Sequence, residues 1–90
     1  MIDKMTLLQL ELDMRNPPAT RQTQLQALLE VAAEKLEGHG INLDPSSVGD
    51  MNLQVQYAAW MYRRRNGGSS AMPEYLKDDI HDRLVAEKAS

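Results

Sequence analysis

The chain has 90 residues, no cysteine, no phenylalanine and a formal net charge of −3. The absence of cysteine excludes disulfide bonds and thiolate metal sites. A clear positive excess is typical of free-standing nucleic-acid binders, and this sequence lacks one.

The charge is unevenly distributed along the chain. Residues 1–50 contain four Lys/Arg against eight Asp/Glu, whereas residues 51–90 contain six against five. The first residues, MIDKMTLLQLELDM, lack the basic start and unbroken apolar run of a signal peptide. No apolar run is long enough to cross a bilayer. We therefore expect one small soluble domain over residues 1–90, with no membrane partner.

A first helix is predicted over about residues 3–14, because Pro17 and Pro18 follow it and cannot continue a helix. Its apolar residues fall into two rows at helical spacing. The rows are Met5/Leu8/Leu12 and Leu7/Leu10/Met14. A short helix that is apolar on two sides is expected to lie between neighbours or to meet another protein.

A second helix is predicted over about residues 20–37, with Thr20 as its N-cap and Gly38 or Gly40 as its stop. One amphipathic stripe runs along it with i, i+3, i+4 spacing. The stripe consists of Leu25, Leu28, Leu29, Ala32 and Leu36, and the acidic residues Glu30, Glu34 and Glu37 lie off it.

A third helix is predicted over about residues 47–65, opening with Ser47-x-x-Asp50, which resembles a capping box. At about 100° per residue, its apolar residues form two opposite faces. One face is Met51/Val55/Ala58/Tyr62, the other is Leu53/Tyr57/Trp60, and Asn52, Gln54 and Gln56 lie on the flanks. A helix with two apolar faces needs cover on both.

A fourth helix is predicted over about residues 73–88, with Pro73 at its first position. Leu76, Ile80 and Leu84 give it a narrow apolar face. The Gly/Ser-rich stretch 66–71 before it is either a simple turn or a segment that becomes ordered on contact with a partner. The sequence therefore predicts an all-α fold, a compact bundle of about four helices.

The Leu53/Tyr57/Trp60 row has two interpretations, which are compatible. In the first, the third helix is the centre of the bundle and the row is core. In the second, the row is partly exposed and forms a protein–protein contact, since Trp and Tyr are frequent at interface hot spots.

Arg63, Arg64 and Arg65 follow this row directly. Because consecutive helical residues do not share a face, the three side chains spread over roughly 200° of the helix circumference. Three roles remain open: capping of the helix C-terminus, salt bridges between subunits, and contact with DNA or RNA. The candidate interface residues are Leu53, Tyr57, Trp60, Arg63, Arg64 and Arg65.

No arrangement of residues predicts catalysis, and we expect no enzyme activity, no cofactor and no metal. Asp78, His81 and Asp82 have i, i+3, i+4 spacing, but nothing in the sequence supplies a fourth ligand. Exposed charges on a terminal helix explain the trio. Neither a Gly-x-Ser-x-Gly turn nor a phosphate-binding glycine loop is present.

The second half of the chain resembles the small helical head–tail connector (adaptor) proteins of tailed bacteriophages and prophages. The matching residues are Leu53-x-x-x-Tyr57-Ala58-Ala59-Trp60-x-Tyr62-Arg63-x-Arg65 and, after a loop and Met72-Pro73, Leu76-x-x-x-Ile80-x-x-Arg83-Leu84-x-x-Glu87-Lys88. The resemblance covers about forty residues, and the first half matches in layout only.

The resemblance implies a non-enzymatic structural protein of the virion, located at the head–tail junction and in the bacterial host cytoplasm during assembly. It implies a ring of copies beneath the portal protein, contacts with tail or stopper proteins, and DNA passing through the channel without sequence-specific binding. Two alternatives remain open on the sequence: a small helical DNA-binding regulator and an interaction module of an unrelated complex.

Overall fold

The computed structural model of the protein describes residues 3–65, Gly67 and residues 71–89. Within these residues the chain forms four α-helices and no strand: α1 (Lys4–Glu11), α2 (Ala19–Gly38), α3 (Val48–Arg65) and α4 (Glu74–Ala89). The predicted all-α bundle is confirmed. Residues 66 and 68–70 lie outside the described part, and with them most of the stretch for which a turn or a partner-ordered segment was expected.

Helix α1 is shorter than predicted because its C-terminal cap forms early. Asp3 caps the start of the helix, its carboxylate accepting a hydrogen bond from the Thr6 N–H at 2.8 Å. At the other end Asp13 adopts a left-handed φ of 57°, and the Met14 N–H bonds back to the Gln9 carbonyl. This is a Schellman cap with Asp in the place that glycine usually occupies.

Helix α2 begins at Ala19, and the expected Thr20 cap is not formed. The N-cap position belongs to Pro18, whose extended backbone, with φ −64° and ψ 161°, turns directly into the helix. No side chain caps this end. The C-terminus follows the prediction more closely, because Gly40 at φ 99° completes a Schellman cap in which the Ile41 N–H bonds to the Leu36 carbonyl.

Helix α3 is the central helix, in contact with all three others. Gln54 near its start meets Leu29 of α2, and Tyr62 near its end lies under the Arg21 guanidinium at 5.6 Å, so α2 and α3 are antiparallel. Arg63 meets the end of α1, which therefore runs parallel to α3.

Helix α4 is antiparallel to α3 and contacts α3 more than any other helix. Its Arg83, in the second half of the helix, bonds to Asp50 near the start of α3. At the opposite end, the Trp60 indole of α3 bonds to the Ala71 carbonyl just before α4 begins. The chain thus runs up, down, up and down around α3.

The core is aliphatic and lies on both sides of α3. The predicted α2 stripe is buried along its whole length, and α4 contributes two buried residues. The buried apolar residues are Leu8, Leu25, Leu28, Leu29, Ala32, Leu36, Ile41, Leu53, Val55, Tyr57, Ala58, Ala59, Met61, Leu76 and Ile80. None of the described helices is both long enough and apolar enough to cross a membrane.

Candidate functional site

Of the two interpretations of the Leu53/Tyr57/Trp60 row, the core interpretation fits Leu53 and Tyr57, and partial exposure fits only Trp60. Leu53 is 4% exposed and Tyr57 is 6% exposed, whereas Trp60 is only partly buried. The reason is that α4 covers this face of α3, as α1 and α2 cover the other face. In this conformation Trp60 alone can present part of the row to another molecule.

Trp60 contacts two residues of its own helix and the segment that leads into α4. Its ring lies edge-on to Tyr57, with the ring centroids 5.4 Å apart and an interplanar angle of 86°. Its Nε1–H donates to the Ala71 carbonyl at 3.2 Å. The Arg64 guanidinium lies 4.7 Å from the ring centroid, within the range of a cation–π contact. Trp60 therefore fixes the entry of the chain into α4 and also holds Arg64.

The three arginines all lie in the last turn of α3, as predicted, but their side chains have different environments. Arg63 donates from Nη2 to the carbonyl of Glu11 at 3.0 Å and to its Oε1 at 3.3 Å. Glu11 is the last residue of α1, so Arg63 complements the C-terminus of α1. The role considered from the sequence was different, because it placed the arginine at the C-terminus of its own helix, α3.

A groove runs between α2 and the last turn of α3, with a volume of about 420 Å³. Its floor is apolar and its rim carries three cations together with one amide. The floor consists of Ala27, Leu28, Val31 and Met61, and the rim consists of Gln24, Lys35, Arg64 and Arg65. We call it the basic groove. Among the described residues, Lys35 and Arg65 have no ion-pair partner.

Another side of α2 is acidic. Glu30, Glu34 and Glu37 are exposed and recur at i, i+4 and i+7, so they share one side of the helix. We call it the acidic face. None of the three forms an ion pair with a cation in the described part of the chain.

A partly buried ion pair between α3 and α4 was not predicted from the sequence. Arg83 donates from Nε to Asp50 Oδ1 at 2.8 Å, and its two terminal nitrogens reach Glu87 at 2.6 Å and the Asn42 carbonyl at 2.9 Å. Asp50 Oδ2 also accepts from the Asp44 N–H at 2.8 Å. The network joins α4 to α3 and to the linker before α3.

The Arg83 bond is the main reason that the pKa of Asp50 is lowered from its usual value, and the bond from the Asp44 N–H adds to this effect. The pKa of Arg83 is correspondingly raised, chiefly by its hydrogen bond to Asp50. Both groups are therefore charged at neutral pH. Asp50 was predicted as the second half of a capping box. Only the first half forms, where the Asp50 N–H donates to Ser47 Oγ at 3.2 Å.

The other polar trio singled out in the sequence stays on the surface. Asp78, His81 and Asp82 are exposed on α4. No group of three or more His, Asp or Glu side chains within the described residues is arranged to hold a metal ion.

Comparison with known proteins identifies no relative. No protein-family model, no curated protein and no solved structure matches this chain.

Proposed function

We propose that this chain is a structural head–tail connector (adaptor) protein of a tailed phage or prophage, and not an enzyme. Copies of it form a ring at the portal and join the DNA-filled head to the tail. Its partners are other copies, the portal protein and tail or stopper proteins. DNA passes through the channel without being recognised by sequence. The place of action is the head–tail junction of the virion, after assembly in the host cytoplasm.

One observation carries the proposal: many of the residues behind the resemblance lie at one structural joint, between α3 and α4. Leu53 and Tyr57, on the side of α3 that α4 covers, are buried, and so are Leu76 and Ile80 of α4. Trp60 and Arg83, both part of the matching pattern, supply the hydrogen bonds at the two ends of this joint. A pattern whose members act together in one joint supports a common fold better than matches scattered over unrelated positions.

The charge distribution supports a protein partner over a nucleic acid. Two of the three consecutive arginines are engaged within the protein, Arg63 with Glu11 and Arg64 with the Trp60 ring. The whole chain is acidic, with a net charge of −3. An acidic surface lets DNA slide past without being held, whereas a DNA-binding regulator requires a positive surface along the phosphates.

The experiment is native mass spectrometry of the portal protein of the same phage or prophage, with and without the chain added. We expect several copies of the chain on each portal ring. Trp60→Ala is expected to weaken this association, and Val85→Ala, at a half-exposed apolar residue of α4, serves as the matched control. A portal ring whose mass is unchanged by the folded wild-type chain would refute the proposal.

A salt titration of duplex DNA binding distinguishes the connector proposal from the alternative of a small DNA-binding regulator. A regulator binds tightly at low salt and loses affinity steeply as salt rises, because bound phosphates release counterions. The connector proposal expects no such binding. Binding to proteins of an unrelated complex, with no association to the portal, would favour an interaction module instead.

A further inference from the structure

We propose that the basic groove of one copy receives the acidic face of the next copy. This inference rests on the proposed function, in which copies of the chain contact one another, and it names the two surfaces that meet. The partner is a second copy because this chain itself carries both complementary charges.

The groove has the composition of a docking surface for an acidic helix. Its floor includes Val31, which is 39% exposed although it is aliphatic, beside the buried Leu28. Cations stand on the rim from both helices, Lys35 from α2 and Arg65 from α3. An occupant with carboxylates above an aliphatic surface would cover the floor and pair the rim charges.

The acidic face is placed where it destabilises the isolated chain. Glu30 and Glu34 are an i, i+4 pair of like charges, which opposes helix formation. Glu34 and Glu37 also lie in the last turns of α2, where the helix dipole favours cations. No described residue offsets these charges by an ion pair. Contact with the cations of another copy would remove both penalties.

The two surfaces cannot satisfy each other within one copy. Helical geometry separates the centre of the Val31/Lys35 side of α2 from the centre of the acidic face by roughly 110° around the helix axis. Contact between two different surfaces of identical chains is head-to-tail, and repetition of it closes into a ring or continues as a filament. The arrangement therefore suits a cyclic assembly better than a two-fold dimer.

Two charge-reversal variants test this pairing. The groove variant is Lys35→Glu/Arg65→Glu, in which Arg64 is kept because it lies on the Trp60 ring. The face variant is Glu30→Lys/Glu34→Lys. The control for the face variant is Asp78→Lys/Asp82→Lys, which makes the same change in net charge as that variant on an exposed side of α4. Circular dichroism and thermal melting establish that each variant is folded.

The measurement is sedimentation velocity over a concentration series at low ionic strength. We expect the wild-type chain and the control to associate, and this association to weaken as salt screens the charges. Each charge-reversal variant alone should sediment as a monomer, because its groove and face carry the same sign. An equimolar mixture of the two should associate again, since every contact then pairs opposite charges.

Three results would overturn the inference: a wild-type chain that stays monomeric, a charge-reversal variant that associates like wild type, or a mixture that fails to recover. Each differs from failure of the proposed function. If the wild-type chain is monomeric alone and the groove and face variants still assemble on the portal like wild type, the connector proposal stands and this pairing falls. If the chains associate as described but do not bind the portal, the pairing stands without the connector role.

Discussion

Helix α3 is held on one side by α2 and on another by α4, and the two junctions differ in kind. The α2 side is filled by a continuous aliphatic stripe, with Leu25 and Leu36 fully buried. The α4 side has two buried residues, Leu76 and Ile80, and depends on directed polar bonds from Arg83, Trp60 and Tyr75.

Hydrocarbon burial depends on area and is insensitive to pH and to small rotations of a side chain. Hydrogen bonds and ion pairs depend on geometry and on protonation state. We therefore expect α1, α2 and α3 to unfold together, whereas α4 can separate from them under milder conditions. Regions with few buried apolar contacts are those that open locally.

The largest effect is expected from Leu25→Ala in the aliphatic junction. Removing a fully buried leucine costs about 2–5 kcal/mol in free energy of unfolding, a large part of the roughly 5–15 kcal/mol typical of a whole domain. Urea denaturation followed by circular dichroism measures it. Leu10→Ala is the matched control, because Leu10 is 67% exposed and its truncation should change stability by less than about 0.5 kcal/mol. Equal losses in both would contradict the core assignment.

The next largest effect is expected from Arg83→Met, which leaves the Asp50 carboxylate buried without its cation. Hydrogen exchange should accelerate in α4 and in the linker before α3, while α2 keeps most of its protection. The double variant Asp50→Asn/Arg83→Met should be less damaging than Arg83→Met alone, since no unpaired charge remains. Uniform loss of protection over all four helices would show that α4 does not separate from the rest.

A pH titration also distinguishes the α4 junction from the α2 junction. Because the pKa of Asp50 is lowered in the folded protein from an ordinary value of 3.8, its contribution to stability is complete above that value. The contribution is lost as the pH falls through the lowered pKa. NMR amide signals of α4 should therefore shift toward unfolded positions at a higher pH than those of α2. In Asp50→Asn, α4 should be less stably attached at neutral pH. Its stability should also change less as the pH falls.

A smaller effect is expected from Trp60→Phe, which keeps an aromatic ring against Tyr57 but removes the Nε1–H donor to Ala71. The cost should be about 1 kcal/mol or less, because the bond is at the surface. Faster exchange at the start of α4, with α1 and α2 unchanged, is the expected sign. If hydrogen exchange at the start of α4 is unchanged, the Trp60 indole bond does not stabilise the start of α4.

The smallest effect is a gain in stability, and it is expected from a substitution at the end of α1. Asp13→Gly should stabilise the chain by up to about 1 kcal/mol, because glycine adopts the left-handed cap of α1 without steric cost. Asp78→Gly, in an exposed part of α4, should instead destabilise by about 0.3 kcal/mol, because glycine is a somewhat poorer helix former than aspartate. Thermal melting of both variants checks the opposite signs.

The sequence was sufficient for the number of helices and for the buried face of α2, since both depend on local periodicity. It was insufficient to predict which helices pack over the two apolar faces of α3. Periodicity showed that Leu53 and Tyr57 form an apolar side, but not that α4 lies over them. The Asp50–Arg83 pair was missed because its members are 33 residues apart and each has an ordinary local explanation.

Gln54 was placed on a polar flank by the sequence, yet it is buried and donates from Nε2 to the Leu29 carbonyl at 2.7 Å. Aliphatic side chains can slide past one another by a turn and still find neighbours, but an amide inside hydrocarbon loses its bond when it slides. This one contact therefore sets how far α2 is displaced along α3. With leucine in place of Gln54, α2 and α3 would still pack together but could adopt more than one alignment along their axes.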